Sequence, residues 1–135
     1  MSGSTIADET AIRNVMSSYE SALNASITEA AMPLYAEDGV FMAPNNQSAV
    51  GKASVRQAYD AVFKGITLKV KFTIAELVMM SSEWAFVRTN SAGTQKVNAS
   101  GATSTEANQE LFIFKKGDDG GWRIARYTFS TTNPA

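Results

Sequence analysis

The chain has no cysteine and no histidine among its 135 residues. Without these residue types, the chain lacks the usual side-chain ligands of transition metals and the usual pairs of a nucleophile and a base. We therefore expect neither a metal nor a cofactor. The lack of cysteine fits a reducing cytoplasm, although a domain of this size needs no disulfide in other compartments either.

The chain also lacks long apolar runs and an excess of either charge. Nowhere does it approach the ~18 consecutive apolar residues of a membrane span, and its first residues lack the basic and apolar regions of a signal peptide. The net charge is -1, from 12 basic and 13 acidic residues. Scattered charges of both signs provide no basic surface for nucleic acid. We expect a soluble, cytoplasmic protein with neither a nucleic acid nor a membrane as partner.

The length predicts one domain over residues 1–135. Folding a chain of this size buries about two thirds of the surface of the unfolded chain, which is enough for a stable core. The ends, about residues 1–5 and 131–135, are expected to be mobile because chain termini are often poorly ordered.

Three helices are predicted in the first half of the chain. The first begins at a capping position, Thr5 or Asp8, and carries apolar residues at helical spacing: Ile12, Val15, Met16, Tyr19 and Leu23. A capping box at residues 26–29 opens a second, short helix, which Pro33 kinks or breaks and which ends at Asp38. A short strand at residues 40–42 precedes the third helix.

The third helix follows Gly51, and Gly65 lies just beyond its end as a cap. Its apolar residues recur at the spacing of one helical face: Val55, Ala58, Tyr59, Val62 and Phe63.

The second half of the chain is predicted to be strand. Alternation over residues 68–74 changes phase after Ile74, which indicates a bulge near Ala75 and Glu76. A strand over residues 84–90 is expected to turn near Gly93. Residues 94–105 fit either a paired strand or a disordered loop. Residues 106–130 form a long hairpin, because Asp-Gly and Gly-Gly pairs lie in its connector at residues 116–121.

Helices followed by consecutive strands predict an α+β fold, with three N-terminal helices packed on a strongly curved, mostly antiparallel sheet. A sheet bent around a long helix encloses a cone. The open end of this cone would be a pocket.

The segments IRNVMSSYESAL, MPLYAEDGVFMAP and VGKASVRQAYDAVF, between Ile12 and Phe63, resemble the NTF2-like superfamily, and within it the ketosteroid isomerase-like and SnoaL-like groups. The closing GGWRIARYTFS is similar to the last strand of that superfamily. The resemblance implies the cone fold, commonly as a homodimer formed through the sheet. It implies no single function, since the superfamily includes isomerases, cyclases, hydratases, transport factors and association domains.

By this resemblance, Tyr19 matches the tyrosine that donates a hydrogen bond to the substrate oxygen in ketosteroid isomerases, and Tyr35 and Tyr59 match the tyrosines linked to it. Glu110 falls where the family has a protonated acid that donates to the same oxygen. Phe129 matches an aromatic residue of the pocket wall. Further lining residues are expected to be Met42, Phe63, Trp84, Arg88 and Phe112.

Ala43 occupies the position of the catalytic base in this resemblance, and an alanine cannot accept a proton. Asp38 is a possible substitute base, and a turn or capping residue by its position before Gly39.

The three tyrosines also fit plain core positions at which the ring packs and the hydroxyl is satisfied locally. Glu110 is costly to bury unless it is paired, protonated or in contact with a wet cavity. The alternative to a protonated acid is a cross-strand ion pair of Glu110 with Arg88, which would hold the glutamate ionised.

Three functions remain open. The first is a metal-free proton-transfer enzyme of the isomerase or cyclase type, with Tyr19 and Glu110 as donors and Asp38 as base. The second is a pocket that binds a small, largely apolar organic ligand without turnover. The third is a dimerisation domain whose cone is filled by its own side chains. A cavity of about 300 Å³ or more favours a ligand, and a filled cone favours the third function.

Overall fold

The computed structural model describes the backbone of residues 2–133 and the side chains of residues 5–133. Three helices, α1 (Ser2–Ala25), α2 (Thr28–Ala31) and α3 (Lys52–Gly65), pack on one sheet, and a short 3-10 helix (Met32–Leu34) follows α2. The strands are β1 (Tyr35–Met42), β2 (Ala49–Val50), β3 (Ile66–Met79), β4 (Trp84–Val97), β5 (Thr103–Lys116) and β6 (Trp122–Thr131). No helix between residues 2 and 133 is long and apolar enough to span a membrane.

The six strands lie in the order β2-β1-β6-β5-β4-β3. β1 runs parallel to β6, and every other neighbouring pair is antiparallel. The register shifts between Ile74 and Glu76, where Ala75 of β3 is the extra residue, and opposite Ile113 and Phe114, where Ala125 of β6 is the extra residue. Such bulges bend a sheet. The α+β prediction, the closing hairpin and the bulge in β3 are confirmed.

The predicted start of the first helix is wrong, because α1 already begins at Ser2. Asp8 has another partner: its carboxylate accepts a hydrogen bond from the indole N–H of Trp122 at 3.0 Å and lies 3.3 Å from the Lys116 ammonium group. Both contacts lower the pKa of Asp8. They join α1 to the hairpin of β5 and β6. The predicted apolar face of α1 is confirmed in the core at Ile12, Met16, Tyr19 and Leu23.

The second helical segment breaks at Pro33, as predicted, where α2 changes to the 3-10 helix. The capping box is wrong: α2 has no side-chain cap, and the N–H of Ser26, at φ 56°, binds the carbonyl of Leu23 at the end of α1. The segment also ends earlier than predicted. β1 begins at Tyr35, so Asp38 lies in a strand and not at a helix end.

The predicted turn near Gly93 is wrong, because β4 continues to Val97. Gly93 pairs with Val70 of β3 and Glu106 of β5, and a Cβ there would lie 1.9 Å from the carbonyl oxygen of Lys69. The glycine therefore permits a close approach of two backbones in the bent sheet.

Most of residues 94–105, which fitted a strand or a loop, are paired strand. Asn98 in the turn donates side-chain hydrogen bonds to the carbonyls of Phe63 and Lys64, at 3.2 and 3.1 Å, and its N–H binds the carbonyl of Gly65. These contacts satisfy the C-terminal carbonyls of α3. Gly65, predicted just beyond this helix, is its last residue.

The ends of the domain are partly structured. Residues 2–5 belong to α1, and Thr131 ends β6 with its hydroxyl donating to the carbonyl of Ala107 at 3.2 Å. Residues 1, 134 and 135, on which the predicted mobility also falls, lie outside the described residues. The mobility of both ends stays a prediction.

Substitution of Gly93 by alanine tests the close approach of β3 and β4. We expect Gly93→Ala to lower the free energy of unfolding by about 3 kcal/mol, because the new methyl group overlaps a backbone carbonyl that cannot rotate away. Urea denaturation measures the loss. The control is Gly65→Ala in α3, where a Cβ meets nothing within 4 Å, and we expect less than about 1 kcal/mol of change. Equal effects of both substitutions would contradict this account.

Candidate ligand-binding site

A cavity of about 170 Å³ lies between the concave face of the sheet and helices α1 and α3. Most of its wall is apolar or aromatic: Tyr19, Leu23, Phe41, Tyr59, Val62, Ile66, Leu68, Val70, Phe72, Tyr127 and Phe129. The remaining lining residues are polar: Ser91, Gln95, Glu106, Asn108 and Glu110. The volume is below the about 300 Å³ expected of a typical ligand pocket. It is close to the about 150 Å³ of an engineered apolar cavity that holds benzene.

The polar stripe follows from strand alternation, because every second residue of β4 and β5 points to the concave face. The register pairs Thr89 with Glu110 and Ser91 with Asn108. Farther towards the turn that joins β4 to β5, Gly93 lies opposite Glu106. Two neighbouring strands thus carry their polar side chains along one line of an otherwise apolar wall.

Three buried tyrosines form a chain of hydroxyl groups. The Tyr59 oxygen lies 2.6 Å from the Tyr19 oxygen and 2.7 Å from the Tyr35 oxygen. Two contacts use two of the three hydroxyl hydrogens. All three tyrosines are fully buried, and an unpaired donor there would cost about 1–3 kcal/mol. Tyr19 and Tyr59 line the cavity, as does Tyr127, whose hydroxyl also interacts with that of Tyr19.

The ring of Tyr19 is held by edge-to-face contacts with Phe72, Phe112 and Tyr127, at centroid distances of 5.8, 5.4 and 5.6 Å. Burial raises the pKa of Tyr19, Tyr59 and Tyr127 well above that of a free phenol. These phenols stay protonated at neutral pH and present hydrogen-bond donors, not phenolates, to the cavity.

Glu110 is 4% exposed, and hydroxyls hold both of its carboxyl oxygens. Thr89 donates to one oxygen at 2.7 Å and Ser91 to the other at 2.5 Å. Burial raises the pKa of Glu110, the two hydroxyls lower it by less, and the charge of Glu106 raises it further. The net shift favours the protonated acid, which is the form that can donate a hydrogen bond to a ligand oxygen.

The predicted ion pair of Glu110 with Arg88 is wrong. Arg88 pairs in register with Leu111, so its side chain points to the face of the sheet opposite to Glu110. There it donates to the carboxylate of Glu76 at 2.8 Å. Trp84 alternates with Arg88 onto the same outer face, so the assignment of Trp84 and Arg88 to the pocket wall is also wrong.

Asp38 does not reach the cavity either. It is exposed in β1, where its carbonyl accepts a hydrogen bond from Arg126 at 3.2 Å, and it lines a separate hollow on the surface. The geometry contradicts its role as a substitute base. Ala43 is packed against the core and is not among the residues that line the cavity.

Other predicted site residues are divided between the wall and its support. Tyr19, Tyr59, Phe129 and Glu110 line the cavity, and Tyr35 joins it through Tyr59. The others lie behind the cavity wall or beside it. The ring of Phe112 stacks on that of Tyr127 at a centroid distance of 4.0 Å, and the ring of Phe63 packs on that of Tyr59 at 5.9 Å. The carbonyl of Met42 accepts a hydrogen bond from the hydroxyl of Thr128.

Sequence reasoning missed Tyr127 and the polar residues Ser91, Gln95, Glu106 and Asn108. For Glu106 and Asn108 a sequence signal existed, because both share the strand alternation of Glu110. Among the side chains that the structure describes, no three acidic residues form a group that could hold a metal ion.

The buried Glu110 predicts a pH dependence of stability. A carboxyl group with a raised pKa in the folded state stabilises the fold fully below its ordinary pKa of 4.5, and this contribution is lost as the pH rises through the raised value. As the pH rises, the free energy of unfolding of the wild-type protein should fall relative to that of Glu110→Gln. The fall should be about 1.4 kcal/mol for each unit by which folding raises the pKa of Glu110. Urea unfolding from pH 4 to pH 8 measures this difference. The exposed Glu76→Gln serves as the control. If the free energy of unfolding changes with pH in the same way in wild type and Glu110→Gln, the raised pKa of Glu110 is refuted.

Comparison with known proteins agrees with this architecture. A ketosteroid isomerase-like protein from Erwinia carotovora atroseptica is 35% identical, with a TM-score of 0.89 over 93% of this chain and 96% of that chain. An NTF2-like superfamily protein from Salmonella enterica serovar Typhimurium is 14% identical and has a TM-score of 0.84, with 97% of this chain and 95% of that chain covered. This second likeness shows the fold alone.

A conserved protein from Planctomyces limnophilus is 24% identical, with a TM-score of 0.81 over 93% of this chain and 98% of that chain. No protein with a curated description matches the chain. The SnoaL-like domain pattern matches residues 4–128, which is nearly the whole sequence. The chain therefore belongs to the SnoaL-like domain family, and its fold is the NTF2-like fold.

Proposed function

We propose that this protein binds a small, largely apolar organic molecule, about the size of one aromatic ring, through a carbonyl or phenolic oxygen. One observation carries the proposal: an apolar cavity contains hydroxyl donors and a buried carboxyl group that has no cationic partner among the side chains of residues 5–133. A polar group in such surroundings is costly unless a ligand oxygen or water completes its hydrogen bonds.

The size of the ligand follows from the cavity of about 170 Å³. A cavity of about 150 Å³ holds benzene, so a single ring fits and a fused four-ring skeleton does not fit inside. The resemblance to ketosteroid isomerases suggests a steroid-like ligand. The cavity volume favours a ligand with a single ring instead.

The charge of the ligand follows from the lining, which includes two glutamates and no lysine or arginine. A carboxylate or a phosphate would meet like charge and no counter-ion in a site of low dielectric constant. A neutral ketone or phenol instead accepts a hydrogen bond from Tyr19, and burial, which raises the pKa of Glu110, favours the form of that carboxyl group that donates as well. Such donors stabilise an oxygen that develops negative charge, as in enolisation.

Binding is tested by calorimetric titration with phenol, 2-naphthol and a rigid phenolic steroid. We expect phenol to bind with a dissociation constant of about 0.1–1 mM, because seven non-hydrogen atoms limit its affinity. The steroid should bind weakly or not at all. Tyr19→Phe and Glu110→Met should each weaken phenol binding about 5-fold, since each substitution removes a donor and one hydrogen bond contributes about 1 kcal/mol.

The control for Glu110→Met is Glu76→Met, which changes the same chemical group on the opposite face of the sheet. It should leave phenol binding unchanged. Absence of phenol binding in the wild-type protein would overturn the proposed function, and tight steroid binding would overturn the size argument.

We also propose that two copies of the chain associate through the outer face of the sheet. This face has no helix over it and carries exposed Val78, Trp84 and Leu111, at 37%, 37% and 38% exposure. It also carries the Arg88 and Glu76 pair. A two-fold axis places this face of one copy against the same face of the other copy. Because the face carries both Arg88 and Glu76, each charged side chain can contact the opposite charge of the second copy.

Association is tested by light scattering during size-exclusion chromatography. We expect a dimer for the wild-type protein and a monomer for Leu111→Asp, because the new carboxylate would be buried in an apolar contact. The control is Ile27→Asp, which changes an exposed apolar residue between α1 and α2. A monomeric wild-type protein, or an unchanged dimer of Leu111→Asp, would contradict the proposal.

A further inference from the structure

Two carboxyl groups line the cavity at different depths, and both belong to β5. Glu110 is 4% exposed, whereas Glu106 is half-buried. The two residues are four positions apart, so they share the concave face, with their Cα atoms about 13 Å apart along the strand. One carboxyl group therefore lies inside the cavity, and the other lies towards water.

The residues that line the cavity beside Glu106 are half-buried as well. Gln95 of β4 is a diagonal neighbour of Glu106 across the two strands, and Leu68 of β3 pairs with Gln95. Both of these side chains line the cavity and keep partial contact with solvent. We call this end of the cavity, formed by Leu68, Gln95 and Glu106, its mouth.

The carboxylate of Glu106 is oriented and has no counter-ion. The amide of Asn108, which is 8% exposed, donates a hydrogen bond to one Glu106 oxygen at 2.7 Å. This bond holds the carboxylate from the inner side and leaves most of its acceptor positions free. Among the side chains of residues 5–133, no lysine or arginine forms an ion pair with Glu106. A negative charge at the mouth thus lacks a positive partner.

The interior of the cavity supplies no positive charge either. The lining residues include no lysine or arginine, and most of them are apolar or aromatic. Beside such a wall the dielectric constant is low, so the charge of Glu106 is screened less than at an open surface. A ligand with an apolar ring and a cationic end matches both parts of the site, whereas a neutral ligand leaves the carboxylate unpaired.

We propose that the ligand is an arylalkylamine, in which the ring carries the phenolic or carbonyl oxygen and a short chain carries a protonated amino group. The ammonium group contacts Glu106 at the mouth, and the ring and its oxygen lie in the cavity beside Tyr19 and Glu110. This inference rests on the proposed function, which it narrows to one chemical class. An ammonium group donates up to three hydrogen bonds, and hydrogen bonds between two charged groups are among the strongest in proteins.

The dimensions of the site suit such a molecule. Side chains stand about perpendicular to a sheet, so on a concave face the two carboxyl groups are about 13 Å apart or less. Hydrogen bonds of about 2.8 Å at both ends leave about 7–8 Å for the ligand. A phenol with a two-carbon amino chain, such as tyramine, spans about 8 Å from its oxygen to its nitrogen.

The volume of the cavity places the amino group at the mouth. A cavity of about 150 Å³ holds benzene, so the ring of the ligand fills most of the about 170 Å³. The chain then extends to the mouth, where the ammonium group keeps part of its hydration. Partial hydration avoids most of the desolvation cost of a fully buried charge.

Three phenols with the same ring and different charges test the inference with the 135-residue protein. Calorimetric titration at pH 7 uses 4-ethylphenol, which is neutral, tyramine, which is a cation, and 4-hydroxyphenylacetate, which is an anion. We expect tyramine to bind about 10-fold more tightly than 4-ethylphenol, because a half-exposed, charge-assisted hydrogen bond contributes about a factor of ten in affinity. The anion should bind at least about 10-fold more weakly than 4-ethylphenol, since it meets like charge.

Substitution of Glu106 separates the effect of its charge from that of its shape. Glu106→Gln keeps an acceptor for the Asn108 amide and removes the negative charge. In this variant the affinity ratio of tyramine to 4-ethylphenol should fall from about 10 to about 1. The control is Glu76→Gln on the outer face of the sheet, which should keep the wild-type ratio.

The neutral phenol separates this inference from the proposed function, because it needs the cavity and no ion pair. Binding of 4-ethylphenol together with equal or weaker binding of tyramine would overturn the inference and leave the proposed function standing. An unchanged affinity ratio in Glu106→Gln would also overturn the role of Glu106. Absence of binding by all three compounds would overturn both proposals.

Discussion

Burial of the Glu110 carboxyl group in an aromatic sheet face is the constraint on which the site depends. A carboxyl group that is 4% exposed would destabilise the fold if its oxygens were unpaired. The register of β4 and β5 prevents this, because it places Thr89 opposite Glu110 and Ser91 one pair further along the same face. The two hydroxyls hold the carboxyl group in a wall that is otherwise apolar. The polar stripe of the cavity begins at this point.

The same register depends on the curvature of the sheet. Gly93 lets the β3 backbone approach β4, and the bulges in β3 and β6 bend the strands around α1. Two contacts between distant segments hold the layers together: Asn98 binds the end of α3, and Asp8 binds the closing hairpin. The concave face is filled by aromatic rings over most of its length and open at one end, so the cavity is small.

Membership of the SnoaL-like family explains the architecture but does not assign a reaction, because this fold carries several unrelated functions. Under our proposal, the hydroxyl chain of Tyr19, Tyr59 and Tyr35 and the buried Glu110 together bind a ligand oxygen. Ala43 occupies the position at which the resemblance implies a catalytic base.

Local sequence patterns were sufficient for the presence of the helices, the closing hairpin and the β3 bulge, because periodicity and turn residues depend on near neighbours. The chain of tyrosines followed from the family resemblance and not from these patterns. The partners of Glu110 and Arg88 could not be read in this way. A shift of one residue in strand pairing moves a side chain to the other face, and this register is set by contacts across the whole sheet. Only the folded sheet therefore shows that Arg88 binds Glu76 on the outer face, while Glu110 lies between Thr89 and Ser91 in the cavity wall.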